Sequence, residues 1–213
     1  MIYLSQSLKF PDPSEADSDG LLAVGGDLTP ERLLLAYNSG IFPWYEDDQP
    51  ILWWSPGLRM ILYPKKLKVS KSLQKLINRE TYEVTFNRAF SEVIKNCSVI
   101  KRGGQRGTWI TEDMQEAYID LHKQGHAISV EVWCDKILVG GLYGIDLPHK
   151  KVFCGESMFS SESNASKVGF YYLVSELAKK GYKLIDCQLY TTHLESLGAE
   201  EISREKFSQI LDN

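Results

Sequence analysis

The chain has 213 residues, 43% of them hydrophobic and 24% charged, with a net charge of −4. This describes a globular protein of one large or two modest domains, with enough chain to bury a sizeable core. It excludes a protein that holds nucleic acid by overall positive charge and leaves room only for a local basic patch.

Met1–Ser5 carries no basic segment followed by an apolar run, and no apolar stretch reaches the ~20 residues that cross a bilayer, so a cytoplasmic protein without membrane contact is expected. Turn residues crowd Phe10 to Gly26 around the short apolar segment Leu21–Val24. Thr29-Pro30-Glu31 then opens a helix: a capping residue, a proline at the first helical position, and an acid at the positive end. The helix carries Leu33, Leu34, Ala36 and Tyr37 inward, and Gly40 ends it. Next come Phe42, Trp44, Tyr45, Trp53 and Trp54, set among Pro43, Pro50 and Pro56. Proline-fixed aromatics make poor strands, and they suit an irregular aromatic core or a stacking platform for a base or apolar ligand.

Arg59–Tyr63 reads as a strand stopped by Pro64. A domain boundary is expected here, dividing the chain into residues 1–63 and 64–213. Ser70 caps a helix on which Lys71, Lys75 and Arg79 share one face, either a solvated surface or a contact for a phosphate backbone. Tyr82–Phe86 is a strand, and Asn87 is expected to cap the helix after it. The basic segment Lys101–Gly107 lacks a Walker pattern. Thr111 caps a helix whose apolar stripe includes Met114, Tyr118 and Leu121.

From Ala127 the pattern turns to strands. Ile128–Trp133 and Ile137–Gly144 form a hairpin, and the glycines of its second arm imply a bulge or a close backbone approach. Val152–Phe159 is a third strand. Glu156 sits there among apolar residues, as a satisfied structural group or as a partner for an ammonium. A helix from Asn164 to Gly181 leads to the strand Lys183–Gln188. Strict alternation puts Asp186 and Gln188 on one face of that strand and Cys187 on the other. The polar pair either converges on a ligand or closes the end of a strand. His193 follows as a packing residue or a possible acid or base. The order of elements suits an N-acetyltransferase-type fold, but the segment Ser160–Ser166 has none of the glycines that would cradle the phosphates of coenzyme A. The four cysteines form no CxxC pair and have no histidine at ligand spacing, so neither metal nor cofactor is expected.

The stretches GLLAVGGDLTPERLLLAYNSGIFPWY, ILWWSP, GTWIT, HAISVEVW, LVGGLYG, FCGESMF, NASK, LIDCQ and SLGAEEI, in that order, resemble the leucyl/phenylalanyl-tRNA–protein transferase family over nearly the whole chain. The resemblance implies an α+β fold: a small N-terminal domain and an acetyltransferase-like (GNAT-type) C-terminal domain, with a mixed, mostly antiparallel sheet flanked by helices. It implies transfer of Leu or Phe, less well Met, from Leu-tRNA and Phe-tRNA to the α-amine of proteins beginning with Arg or Lys. That transfer marks them for N-degron proteolysis, and the enzyme is expected to act as a monomer. By motif, Asp186 and Gln188 match the catalytic pair. Tyr37, Trp44, Trp109 and Tyr118 match contacts around the terminal adenosine and aminoacyl group. Leu142, Glu156, Met158 and Leu173 match the side-chain pocket, and Lys71, Lys75 and Arg79 match the tRNA-backbone region.

Overall fold

Two sheets organise the chain. The computed structural model describes residues 2–100 and 109–212; the basic segment at Lys101–Gly107 lies outside the described residues. The first sheet holds β1 (Ile2–Leu4) and β2 (Leu21–Gly25). Helix α1 (Pro30–Asn38) follows, and then β3 (Phe42–Pro43) and β4 (Leu52–Trp54) complete the sheet in the order β1-β2-β4-β3. The aromatic segment therefore does form strands, though of only two and three residues. They are tied by the Trp54 indole donating to the Trp44 carbonyl and the Trp53 indole donating to the Gly25 carbonyl. Trp53 is fully buried and meets Phe10 edge-on. Helix α1 begins at Pro30 as expected, but the Thr29 hydroxyl donates to Asp27 and does not cap it; past the helix end Gly40 takes a φ of +74°, which suits a residue without a Cβ.

The second sheet takes β5 (Leu58–Leu62). Helix α2 (Lys71–Asn78) follows, capped by the Ser70 hydroxyl accepting from the Leu73 amide. Then come β6 (Glu83–Phe86), α3 (Phe90–Val99) and α4 (Glu112–Lys123), the last capped by Thr111. The hairpin β7 (Ala127–Cys134) and β8 (Ile137–Leu147), strand β9 (Val152–Ser160), helix α5 (Ala165–Lys179) and strand β10 (Leu184–Gln188) form the centre. The chain closes with α6 (Thr192–Ser196), β11 (Glu200–Ser203) and α7 (Arg204–Asp212). The sheet order is β11-β5-β10-β9-β8-β7-β6, antiparallel throughout except where β9 runs parallel to β10. The fold is thus α+β with a mixed, mostly antiparallel sheet. Because β5 sits between β11 and β10, the sheets divide at residues 55–57, ahead of the boundary expected after Tyr63.

The expected cap of α3 changes. Asn87 does not cap α3; it adopts a positive φ and its side-chain oxygen accepts from the Ser129 amide. The buried carboxylate of Glu131, on β7, reaches over instead and accepts from the Arg88 and Ala89 amides and from the Ser129 and Thr85 hydroxyls. The β8 glycines mark bulges, as expected: Val139 is extra where Val132 pairs with Gly140 and Trp133 with Leu138, and the strand facing Gly144 is bulged too. A Cβ at Gly140 would stand 2.7 Å from the Ala165 side chain, and one at Gly144 would stand 2.1 Å from the Cys154 carbonyl. Helix α5 can therefore lie close against the sheet, burying Phe170, Leu173, Val174 and Leu177 with Leu142, Phe153 and Ile185. Each such side chain contributes roughly 1.5–3 kcal/mol through removal from water. The opposite face packs α3, α4 and the N-terminal sheet over Tyr143, Cys154 and Leu184.

Candidate active site

The site lies where β9 and β10 part. They pair from Leu184↔Val152 to Asp186↔Cys154 and no further, although β9 continues to Ser160. Each strand carries a bulge at this point. On β9, Ser157 pairs with Tyr143 and Gly155 with Gly144, so Glu156 is an extra residue. On β10, Asp186 pairs with Ile61 and Gln188 with Met60, so Cys187 is extra. A bulge breaks the two-residue alternation and re-aims the side chains beside it. Gln188 completes the turn at φ +63°, a left-handed conformation that costs a non-glycine residue on the order of 1–2 kcal/mol. Its amide donates to Asp186 Oδ1 at 2.9 Å, which fixes that turn.

Asp186 and Gln188 consequently point to different places. Asp186 is fully buried and faces Arg59, which donates through Nε at 2.8 Å and through a terminal nitrogen at 2.7 Å. The guanidinium lies between the rings of Phe42 and Phe207, 4.6 and 4.8 Å from their centroids. Both Asp186 oxygens are thus engaged, and its link to the site runs through the Gln188 main chain. Alternation predicted a shared face, and the Cys187 bulge is the reason it fails. Arg59 was not anticipated as a site residue; its one sequence signal was a charge inside the apolar run Arg59–Leu62.

Gln188 turns to Glu156. Its Nε2 donates to Oε1 at 2.7 Å, and the Tyr118 hydroxyl donates to Oε2 at 3.0 Å. Tyr118 is in turn hydrogen-bonded to the Tyr37 hydroxyl. The chain Tyr37–Tyr118–Glu156–Gln188 draws on four elements and is buried except at Gln188. Burial pushes Glu156 up to about 7, against the pull of the Tyr37 and Tyr118 hydroxyls; the charge of Asp186 adds to the rise, and the Gln188 amide opposes it. Burial is also the first cause that raises both tyrosines well above their ordinary value, so they remain donors. Neutral donors alone face this carboxylate, and it titrates near neutrality.

In front of the pair opens a cavity of about 420 Å³, a size that admits a small apolar group. Leu142, Phe153, Met158, Phe170, Leu173 and Ile185 form its apolar floor and walls, Trp44 and Trp109 flank it, and Glu156 and Gln188 supply polar groups. The structure therefore gathers Trp44, Trp109, Leu142, Glu156, Met158, Leu173 and Gln188 of the expected residues around one space. Tyr37, Tyr118 and Asp186 stand behind its wall, while Lys71, Lys75 and Arg79 are exposed along α2 and its C-terminal cap. Cys187 lines the cavity, but burial first, then the Asp186 charge, raises its thiol far above the ordinary range, which removes it as a nucleophile. Among the described residues, no helix is long and apolar enough to cross a membrane.

The solved structure of FemX shares the fold at a TM-score of 0.53 and 11% identity, over 86% of this chain and 71% of FemX. The family described as leucyl/phenylalanyl-tRNA protein transferase matches residues 61–212, and its N-terminal domain matches residues 26–57. The leucyl/phenylalanyl-tRNA–protein transferase of Flavobacterium johnsoniae is 61% identical over 99% of both chains. That of Christiangramia forsetii is 57% identical over 99% of this chain and 100% of its own. The chain belongs to the leucyl/phenylalanyl-tRNA protein transferase family.

Proposed function

We propose that the protein moves Leu or Phe, and less well Met, from aminoacyl-tRNA to the N-terminal α-amine of proteins that begin with Arg or Lys, so marking them for N-degron proteolysis in the cytoplasm. The observation that carries the reading is the Glu156–Gln188 hydrogen bond set over an apolar cavity at the parting of β9 and β10. An aminoacyl ester is already activated, so the protein needs to orient the amine, stabilise the tetrahedral intermediate and handle a proton. The neutral α-amine attacks the ester carbonyl; the C–N bond forms, the ester C–O bond breaks, and one amine proton ends on the departing ribose oxygen.

In this scheme the transferred side chain fills the cavity between Leu142, Met158 and Leu173, with Trp44 and Trp109 beside the terminal adenosine. Gln188 positions the amine. Its Nε2 is committed to Glu156, because only the nitrogen can donate to a carboxylate, and this turns Oε1 to accept from the amine. Asp186 acts through Gln188, holding its main chain while Arg59 holds Asp186. Tyr118 and Tyr37 act through Glu156 and keep its carboxylate in place. Lys71, Lys75 and Arg79, unpaired with any acid among the described residues, would meet the donor's phosphate backbone, and the enzyme would act as a monomer. A pocket of this kind discriminates a methylene by only ~1–3 kcal/mol, which accounts for some transfer of Met.

The test is to mix the protein with labelled Leu-tRNA or with an acyl-CoA and an Arg-starting peptide. Labelled peptide from Leu-tRNA alone is expected. Transfer from the acyl-CoA, or none from the tRNA, overturns the reading.

A further inference from the structure

Lys167 lies in the first turn of α5, three residues before Phe170, whose side chain lines the cavity. Residues three apart are neighbours on a helix surface, so the lysine lies beside the part of the cavity wall that Phe170 forms. It is half-buried, yet no carboxylate pairs with it among the described residues. Helix α6 also borders the cavity. Its Leu194 packs with the Phe170 and Leu173 cluster, and the neighbouring His193 lines the cavity. Burial first, and then the charge of Lys167, hold the His193 ring below its ordinary value, which places the two side chains within electrostatic reach. The helix terminus itself is occupied: the Ser166 amide donates to the Ser160 hydroxyl at 3.1 Å. A cation and an imidazole with no counter-charge, beside an apolar cavity, suit an anion carried in by whatever fills that cavity.

We propose that Lys167 and His193 form a phosphate seat that takes the 5′-phosphate of the donor's terminal nucleotide. The proposal rests on the aminoacyl-transfer reading and adds a subsite to it. With the aminoacyl side chain in the cavity, the ester lies at Gln188 and the ribose projects to the rim. Five bonds separate the ester oxygen from the phosphorus, a reach of ~6 Å at ordinary bond lengths. Lys167 supplies a point charge and His193 a ring N–H, both of which suit a phosphate oxygen. The seat would fix the ribose, and with it the leaving oxygen, against the attacking amine.

The experiment uses the full chain and a non-hydrolysable donor mimic, leucine joined through an amide to the 3′ position of adenosine, with and without a 5′-phosphate. Calorimetry should show the phosphorylated mimic binding wild type tenfold or more tightly. Lys167→Met should bring the two affinities within about twofold, Lys167→Arg should restore most of the difference, and His193→Gln should remove part of it. Circular dichroism checks that each variant folds. Equal affinity of the two mimics for wild type, or a preference kept by Lys167→Met, overturns the seat. So does tight binding of inorganic phosphate alone, which would assign these residues to the free ion. The outcome is separate from that of the parent reading: a phosphate preference that depends on Lys167, in a protein that transfers nothing from Leu-tRNA, would keep the seat and sink the aminoacyl-transfer reading.

Discussion

Two carboxylates stand on neighbouring strands where β9 and β10 part, and their surroundings are opposite. Asp186 is fully buried against a bidentate guanidinium. Glu156, almost as buried, meets only phenols and a carboxamide. A formal cation neutralises the first and makes it a fixed strut. The second has donors but no counter-charge, so its proton stays exchangeable near pH 7. Gln188 bridges them, with its main chain on Asp186 and its side chain on Glu156. One side of the site therefore holds geometry and the other holds a titrating group. Variants that separate stability from transfer should divide along the same line.

The largest effect belongs to the strut. Arg59→Met leaves Asp186 buried and uncompensated, and should cost about 3–5 kcal/mol of stability. Adding Asp186→Leu should recover most of that loss, since an apolar pair of similar volume replaces the buried ions. Urea denaturation of the single and double variants measures the coupling. A loss below about 1 kcal/mol in Arg59→Met would show that the pair is not the anchor of β10.

Gln188→Ala should do the reverse. The side chain is part-exposed and its removal empties little of the core, so stability should move by no more than about 1 kcal/mol. Transfer to an Arg-starting peptide should fall on the order of 100-fold in kcat, the penalty for a misplaced attacking group. A stable variant with full activity would remove Gln188 from the reaction.

Much of this contrast was hidden in the sequence. Helix α1 was legible from Pro30 and Gly40, α4 from its Thr111 cap, and the β7–β8 hairpin from its alternation, because caps and periodicity are local. The family motifs named Leu142, Met158 and Leu173, which line one cavity. The bulges at Glu156 and Cys187 were not legible. One extra residue there leaves no compositional mark, yet it sends Asp186 and Gln188 to different surroundings. The Arg59–Asp186 pair spans 127 positions, and the Tyr37–Tyr118 bond spans 81. Nothing local announces a partner at that separation. The edge strands β1 and β11 were also missed, since Ile2–Leu4 and Glu200–Ser203 are too short to show a period.

Glu156→Gln sharpens the titrating side. Between the ordinary value of 4.5 and the folded value of about 7, the folded protein holds a proton that the unfolded chain has lost. That contribution to stability is complete below 4.5 and is lost as pH rises to 7, at up to ~1.4 kcal/mol per unit. The melting temperature of wild type should therefore fall from pH 5 to pH 8, and the glutamine variant should flatten that slope. Transfer should show an acid limb near pH 7 in wild type. In Glu156→Gln the remaining limb should follow the acceptor's α-amine, at ~7.7–8.0. Identical slopes and limbs in the two proteins would mean that Glu156 does not titrate in the site.

The smallest effect should come from the apolar floor, and it tests whether the cavity selects by fit alone. Met158 is part-exposed on the cavity wall, so Met158→Ala enlarges the space without opening a sealed void. Its stability cost should fall below the roughly 2–5 kcal/mol of a fully buried methionine. The change removes apolar contact from the bound side chain, and the smaller donor should suffer most. Leucine should lose about 1 kcal/mol in kcat/KM, some fivefold, while phenylalanine, which spreads into the new space, should lose less. Competition between Leu-tRNA and Phe-tRNA for one labelled peptide reads that ratio directly. The hydrogen bonds of Glu156 go to Tyr118 and Gln188, which Met158→Ala leaves in place, so the pH profile should stay where wild type has it. A shifted profile would show that the floor and the Glu156–Gln188 pair are coupled, and that the division between what shapes the site and what titrates in it does not extend to the floor.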